Sequence, residues 1–206
     1  MGIGAAPSFL AVALADEDSL PTSPDSPPDF FHTLRTLIES FPASAPPFCL
    51  IGALALSAWG QPRATKDIDL LILLNEESQD RVLSALASRG FLKDEAWSEQ
   101  NPILRGAMVR LYSGDVPIDL CAPRDAQEEE ALTRRRMIEV EGLSLWTVSP
   151  EDLVLMKLKA GRPYDFGDVA TILIRQGDAL DLEYVRRWAK RLDVIDELAY
   201  VLDQSR

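Results

Sequence analysis

The chain has 206 residues, 47% of them hydrophobic and 26% charged, a composition that excludes wholesale disorder. At this length one core, or a core with an extension, buries roughly 70% of the unfolded surface without disulfide or metal staples. Thirty-three acids against 21 bases give a formal charge of −12, the wrong sign for a protein that coats nucleic-acid phosphates, so phosphate is expected to be handled locally or through a cation.

Residues 1–29 read as a flexible acidic leader. The first 30 residues hold five acids and no Lys or Arg, and LPTSPDSPPD is too rich in Pro, Ser and Asp to offset the ordering of the chain. The apolar stretch ending in Ala-Leu-Ala-Asp has the outline of a secretory signal, but no Lys or Arg precedes it, so secretion is not expected. The longest apolar run of the body, Phe48 to Trp59, has 12 residues against the roughly 20 of a membrane span. Cys49 and Cys121 show neither metal-type spacing nor a disulfide pattern. A soluble, cytoplasmic protein with reduced thiols and no membrane partner is expected.

Helical spacing of Phe30, Phe31, Leu34, Leu37, Ile38 and Phe41 predicts an entry helix. Ala-Ser-Ala-Pro-Pro breaks it, and Phe48 to Gly52 reads as a short apolar strand followed by an Ala/Leu-rich helix to Trp59. After the polar turn Gly60 to Lys66, Asp67 to Leu74 begins polar and becomes continuously aliphatic, as a buried central strand does. Glu76 to Arg89 is helical and ends at Gly90. Leu104 to Tyr112 and Val116 to Cys121 form two strands joined through Ser113-Gly114-Asp115. Asp125 to Met137 is helical, Ile138 to Val148 is a strand pair or an edge strand around Glu141-Gly142, and four helices follow: Ser149 to Ala160, Phe166 to Arg175, Leu182 to Arg191 and Val194 to Leu202. The expected class is α+β, a small mixed sheet with flanking helices at 30–148 and a helical region at 149–206.

Asp67 and Asp69 project from the same side of their strand, roughly 7 Å apart. They stand at the start of the most apolar strand, where ionised carboxylates need water, a partner or a metal. Asp119 interrupts a second apolar strand. A turn cap or an ion pair with Arg110 is the ordinary alternative for it, disfavoured by its alternation with Val116, Ile118 and Leu120. If the two strands are neighbours, three carboxylates converge, a donor set suited to hard cations such as Mg²⁺, and two such ions can serve a phosphoryl group. Gly52, between a strand and a helix, lets backbone approach a phosphate at a helix N-terminus. His32 is the lone histidine, so His-based hydrolysis and His-ligated zinc are not expected. Arg134-Arg135-Arg136 follows three acids and reads as a solvated helix face, and the four tryptophans read as packing residues.

The stretch IGALALSAWGQPRATKDIDLLILL, with Arg63-x-Thr65-x-Asp67-Ile68-Asp69-Leu70, resembles the first signature of the nucleotidyltransferase superfamily, the fold of DNA polymerase beta, and especially the AbiEii-like toxins of type IV toxin–antitoxin systems. SPEDLVLMKLKAGRPYDFGDV is similar to the second signature of those families. The resemblance spans Phe30 to Ile174. It implies a nucleotidyltransferase fold and a Mg²⁺-dependent enzyme that moves a nucleoside monophosphate from an NTP to an acceptor hydroxyl on tRNA, protein or a small molecule. It implies Asp67, Asp69 and Asp119 as catalytic metal ligands, Asp119 also as a candidate general base. Gly52, Ala53, Arg63, Thr65, Lys157 and Arg162 are implied as nucleotide-binding residues, Lys157 as a point charge on phosphate. Asp165 and Asp168 match the family pattern and equally suit helix capping. Ala53 departs from the Ser or Gly of many members, and a catalytically weak interaction protein, paired with a cognate antitoxin, is the alternative reading.

Overall fold

The computed structural model describes residues 30–205. The expectation for the leader concerns residues 1–29, which lie outside them. Helix α1 (Phe30–Ser40) leads to β1 (Phe48–Leu50), α2 (Gly52–Trp59) and β2 (Ile68–Ile72). Helix α3 (Glu76–Ala87) opens with a reciprocal cap in which the Ser78 amide donates to the Asn75 side chain at 2.8 Å and the Asn75 amide donates to the Ser78 hydroxyl at 2.9 Å. Next come β3 (Leu92–Lys93), α4 (Glu95–Gln100), a 3₁₀ turn (Pro102–Leu104), and strands β4 (Met108–Ser113) and β5 (Val116–Cys121). The hairpin between β4 and β5 turns on Gly114, whose φ of 56° suits glycine. Helix α5 (Ala126–Arg134), strands β6 (Arg136–Val140) and β7 (Leu143–Thr147), and helices α6 (Pro150–Ala160), α7 (Pro163–Gln176), α8 (Leu182–Arg191) and α9 (Ile195–Gln204) complete the described chain. No helix among the described residues is long and apolar enough to cross a membrane.

The seven strands form one mixed sheet in the order β3-β4-β5-β2-β1-β7-β6. Strand β2 is central, antiparallel to β1 and parallel to β5. Its alternation sets the layers. Ile68, Leu70 and Ile72 enter a core shared with Leu34 and Leu37 of α1 and Val82 and Leu86 of α3. Leu71 faces the opposite way, into a core shared with Cys49 and helices α5 to α9. Asp69 shares the Leu71 face by the same period of two, so its carboxylate points towards the C-terminal helices.

The entry helix, the hairpin strands and the last four helices agree with the sequence pattern, with shifted ends. Helix α7 begins at Pro163, three residues before the expected Phe166, because Pro fits the first helical turn. The segment between Gly90 and Leu104 carries β3, α4 and the 3₁₀ turn, all too short for a periodicity to reveal. The expected helix from Asp125 to Met137 stops at Arg134, and the expectation of a solvated arginine face is overturned. Arg134 donates to Asp152 at 3.1 Å and lies 3.8 Å from the Tyr184 ring, Arg135 lies over Trp146, and Arg136, already in β6, donates to Glu151. Glu151 and Asp152 are fully buried in α6, so Arg134 and Arg136 neutralise acids that would otherwise be stranded in the core. Glu128, read as solvated, is buried too and accepts from Arg124 and Lys159.

Candidate active site

The sheet places the acids by register alone. Asp69 of β2 lies opposite Asp119 of β5, and Asp119 lies opposite Arg110 of β4, so the three side chains form a row on the face that the C-terminal helices cover. The cover ends where α6 gives way to α7, and a cleft of about 700 Å³ opens there. Gly52, Ala53, Arg63, Thr65, Asp67, Asp69, Asp119, Lys157 and Arg162 all line it, so one cleft gathers every residue the sequence singled out for catalysis or nucleotide binding. Arg110, Arg124 and Tyr164 line it as well and were missed.

Asp69 is the most perturbed acid of the cleft. Burial first, then the neighbouring charges of Asp67 and Asp119, push its pKa up to about 6, against the opposing pull of Arg110 and Lys157. Among the described residues no donor is recorded on its carboxylate. Asp67 accepts from the Thr65 hydroxyl, a contact within the loop that leads into β2. Cys121, on the same face, has its thiol pushed up to about 12, chiefly by burial, so it supplies no thiolate nucleophile near neutral pH.

Gly52 closes the other side of the acid pair. It opens α2 with φ of +64°, and a Cβ there would overlap Asp69 Oδ2. Strand β1 brings this point to Asp69 directly, since the Ile51 amide donates to the Asp69 carbonyl at 3.0 Å. No side chain caps the start of α2, and its first two residues, Gly52 and Ala53, line the cleft. Gly52→Ala is therefore expected to destabilise the protein by about 1–2 kcal/mol from the backbone alone, and by more from the displaced carboxylate, a fall of several degrees in a thermal melt.

Two expectations need correction. Asp119 is not a free carboxylate: Arg110 takes both oxygens, Nε donating to Oδ1 at 2.7 Å and Nη2 to Oδ2 at 2.6 Å, so the ion pair that strand alternation argued against is present. Alternation fixes the face of Asp119 but not what stands opposite it. Lys157 lines the cleft, yet its ammonium is buried and donates to Asp165 at 3.0 Å and Asp168 at 2.6 Å, which leaves it engaged rather than open to phosphate. Asp165 also caps α7 by accepting from the Arg162 backbone and guanidinium. Burial alone would raise its pKa, and the hydrogen bonds from Arg162 and Lys157 hold it below the ordinary carboxylate range.

The fit of these residues to a cation divides the three acids. Among the described residues no group of three or more His, Cys, Asp or Glu is arranged to hold a metal ion. Asp67 and Asp69 do offer neighbouring oxygen donors, the second with no hydrogen-bond donor among the described residues, which suits one hard divalent cation completed by water and phosphate oxygens. Asp119, gripped by Arg110, does not join that set as the structure stands.

Residues 125–203 match a family model described as "Nucleotidyltransferase of unknown function (DUF6036)", less than half of the chain and the part that lacks Asp67, Asp69 and Asp119. No curated protein matches the sequence. Among solved structures, the antibiotic-resistance factor ANT(2'')-Ia aligns with a TM-score of 0.51 at 16% identity, covering 82% of this chain and 97% of that one. An antigenic nucleotidyltransferase-like protein from Paracoccidioides brasiliensis aligns at 0.45 and 17% identity, covering 76% and 84%, and JHP933 from Helicobacter pylori at 0.41 and 20%, covering 79% and 73%. The α+β expectation holds, and the fold is similar to that of the nucleotidyltransferases.

Proposed function

We propose that this chain is a Mg²⁺-dependent nucleotidyltransferase that moves a nucleoside monophosphate from an NTP to an acceptor hydroxyl, releasing pyrophosphate. The Asp69 carboxylate supports this reading best: a partly buried acid beside two others, with no recorded donor, at the floor of a cleft that also exposes the uncapped start of a helix. Asp67 and Asp69 would hold the cation, which when bound offsets negative charge on the phosphates. The first-turn amides of α2 at Gly52 and Ala53 receive phosphate oxygens, and Ala53 contributes its amide without the hydroxyl that a serine would add. Arg63 and Arg162 flank Tyr164 at the mouth, with guanidinium carbons 5.6 and 5.1 Å from the ring centre, and present charge there to the nucleotide. In this reading residues 30–148 supply the acidic floor and residues 149–206 the helical roof. Catalysis is then mainly positioning and charge neutralisation.

NTP binding measured with and without Mg²⁺ tests the reading. Wild type is expected to bind more tightly with Mg²⁺, and Asp67→Asn with Asp69→Asn to lose that dependence; identical behaviour of the two proteins refutes it. Mass spectrometry of RNA, protein and small molecules after incubation with labelled NTPs identifies the acceptor.

One observation favours a second reading, a non-catalytic interaction protein such as one half of a toxin–antitoxin pair. Each of the five cationic side chains lining the cleft is already in an ion pair with a carboxylate: Arg63, Arg110, Arg124, Lys157 and Arg162. Retention of biological effect by the double Asn variant, with capture of the neighbouring gene's product, would favour it.

A further inference from the structure

Arg110 entered the sequence reading only as a disfavoured partner of Asp119, and the structure makes it the cation that grips that acid. Its guanidinium matches both oxygens of Asp119, whose side chain is 7% exposed against 23% for Arg110, so the carboxylate is nearly withdrawn from water and the arginine covers it. The Trp97 ring lies 4.6 Å from the guanidinium carbon. That ring is itself held in place: the Asp94 amide donates to the Arg110 carbonyl at 2.9 Å, and the Asp94 side chain accepts from the Trp97 amide, so the start of α4 is pinned to β4 beside Arg110. Two backbone registers, a bidentate ion pair and an aromatic face therefore converge on one side chain.

The acids of the cleft divide accordingly. Asp69 carries no recorded donor and Asp67 only a hydroxyl, whereas Asp119 is fully engaged. A metal ion on Asp119 would have to displace a guanidinium that is bidentate and set over an aromatic ring, and that does not lose its proton in proteins.

We propose that Arg110 is a resident cation standing in for a second metal ion at Asp119, so that the cleft holds one divalent cation per chain, on Asp67 and Asp69. This rests on the cation-binding reading given above. It departs from the two-metal, three-carboxylate site that the sequence resemblance implies, and it assigns to Arg110 a charge that is present whatever the concentration of free metal.

The test counts ions, with Mn²⁺ as the probe and the free-ion signal in electron paramagnetic resonance as the readout, on the full chain without nucleotide. Wild type is expected to bind one Mn²⁺ tightly, Asp69→Asn none, and Arg110→Gln two, because the substitution frees both oxygens of Asp119. Two tight ions on the wild-type chain, one of them removed by Asp119→Asn, overturn the proposal and need no Arg110 variant to fold. A folded Arg110→Gln protein that still binds one ion also overturns it, since Arg110 would not be what excludes the second. No tight ion on wild type refutes the cation-binding reading itself, a result distinct from either of the others.

Discussion

Lys157→Met is expected to destabilise the fold by roughly 3–5 kcal/mol, the cost of leaving buried carboxylates without their cation. Methionine keeps most of the volume of lysine on a largely apolar helix and removes only the ammonium. Asp165 and Asp168, 1% and 9% exposed and one turn apart on α7, would then have only Arg162 and the more distant Arg63 to compensate them. Chemical denaturation checks the size of the effect. Wild-type stability together with weakened NTP affinity would instead restore Lys157 as a phosphate ligand. The pH dependence has a definite sign. Asp165 titrates below its unfolded value, so its contribution is present above the ordinary carboxylate range and is lost as pH falls through the lowered value. Asp168→Asn added to Lys157→Met should recover part of the loss, because it removes one of the two stranded charges.

Asp69→Asn should separate binding from stability in opposite directions. Metal affinity is expected to vanish, since the amide offers one neutral oxygen where the carboxylate offered charge. Stability of the metal-free protein should rise by about 1–3 kcal/mol at pH 8. A folded-state pKa of about 6, above the ordinary carboxylate value, means that the native state favours the protonated acid. The stabilising contribution is complete below the unfolded value and is lost as pH rises through about 6, so above that the ionised wild-type side chain burdens the fold and the variant does not. Melting curves at pH 5 and pH 8 check this: the advantage of the variant should be larger at the higher pH than at the lower. A variant less stable than wild type at pH 8 would show that Arg110 and Lys157 offset the burial of the Asp69 charge. For the same reason, metal binding by wild type should strengthen between pH 5 and pH 7, as the proton leaves Asp69.

The sheet was legible because its strands obey the period of two over a strongly apolar background. Asp67, Asp69 and Asp119 stood out as charges in the wrong place, and register brings the last two side by side. What alternation could not carry was identity across strands. The ion pair of Arg110 follows from hairpin register: with Ser113 opposite Val116 across a two-residue turn, stepping three residues back along each strand sets Arg110 against Asp119. A three-residue connection, as the sequence suggested around Ser113-Gly114-Asp115, leaves that pairing unassigned. Lys157 was misjudged for a related reason. Its neighbours Met156 and Leu158 reveal a buried helix, but its partners come from the next helix, and the turn at Gly161 that folds α7 back against α6 decides which way the ammonium points. The arginine run at 134–136 misled because like residues in sequence crossed an element boundary, one closing a helix and one starting a strand.

Strand β1 has only three residues, yet it joins the hairpin of β6 and β7 to the rest of the sheet through a parallel pairing of Leu50 with Thr147. Those partners lie about a hundred residues apart, whereas the β4–β5 and β6–β7 hairpins close over a few, and contacts of long sequence separation form slowly because loop-closure entropy opposes them. Helices α6 and α7 follow directly on β7, so the roof over Asp69 arrives with that last, non-local step. During folding the acidic floor, whose β2–β5 pairing spans about fifty residues, can therefore assemble before the helical roof, which is in place only once β7 has joined β1.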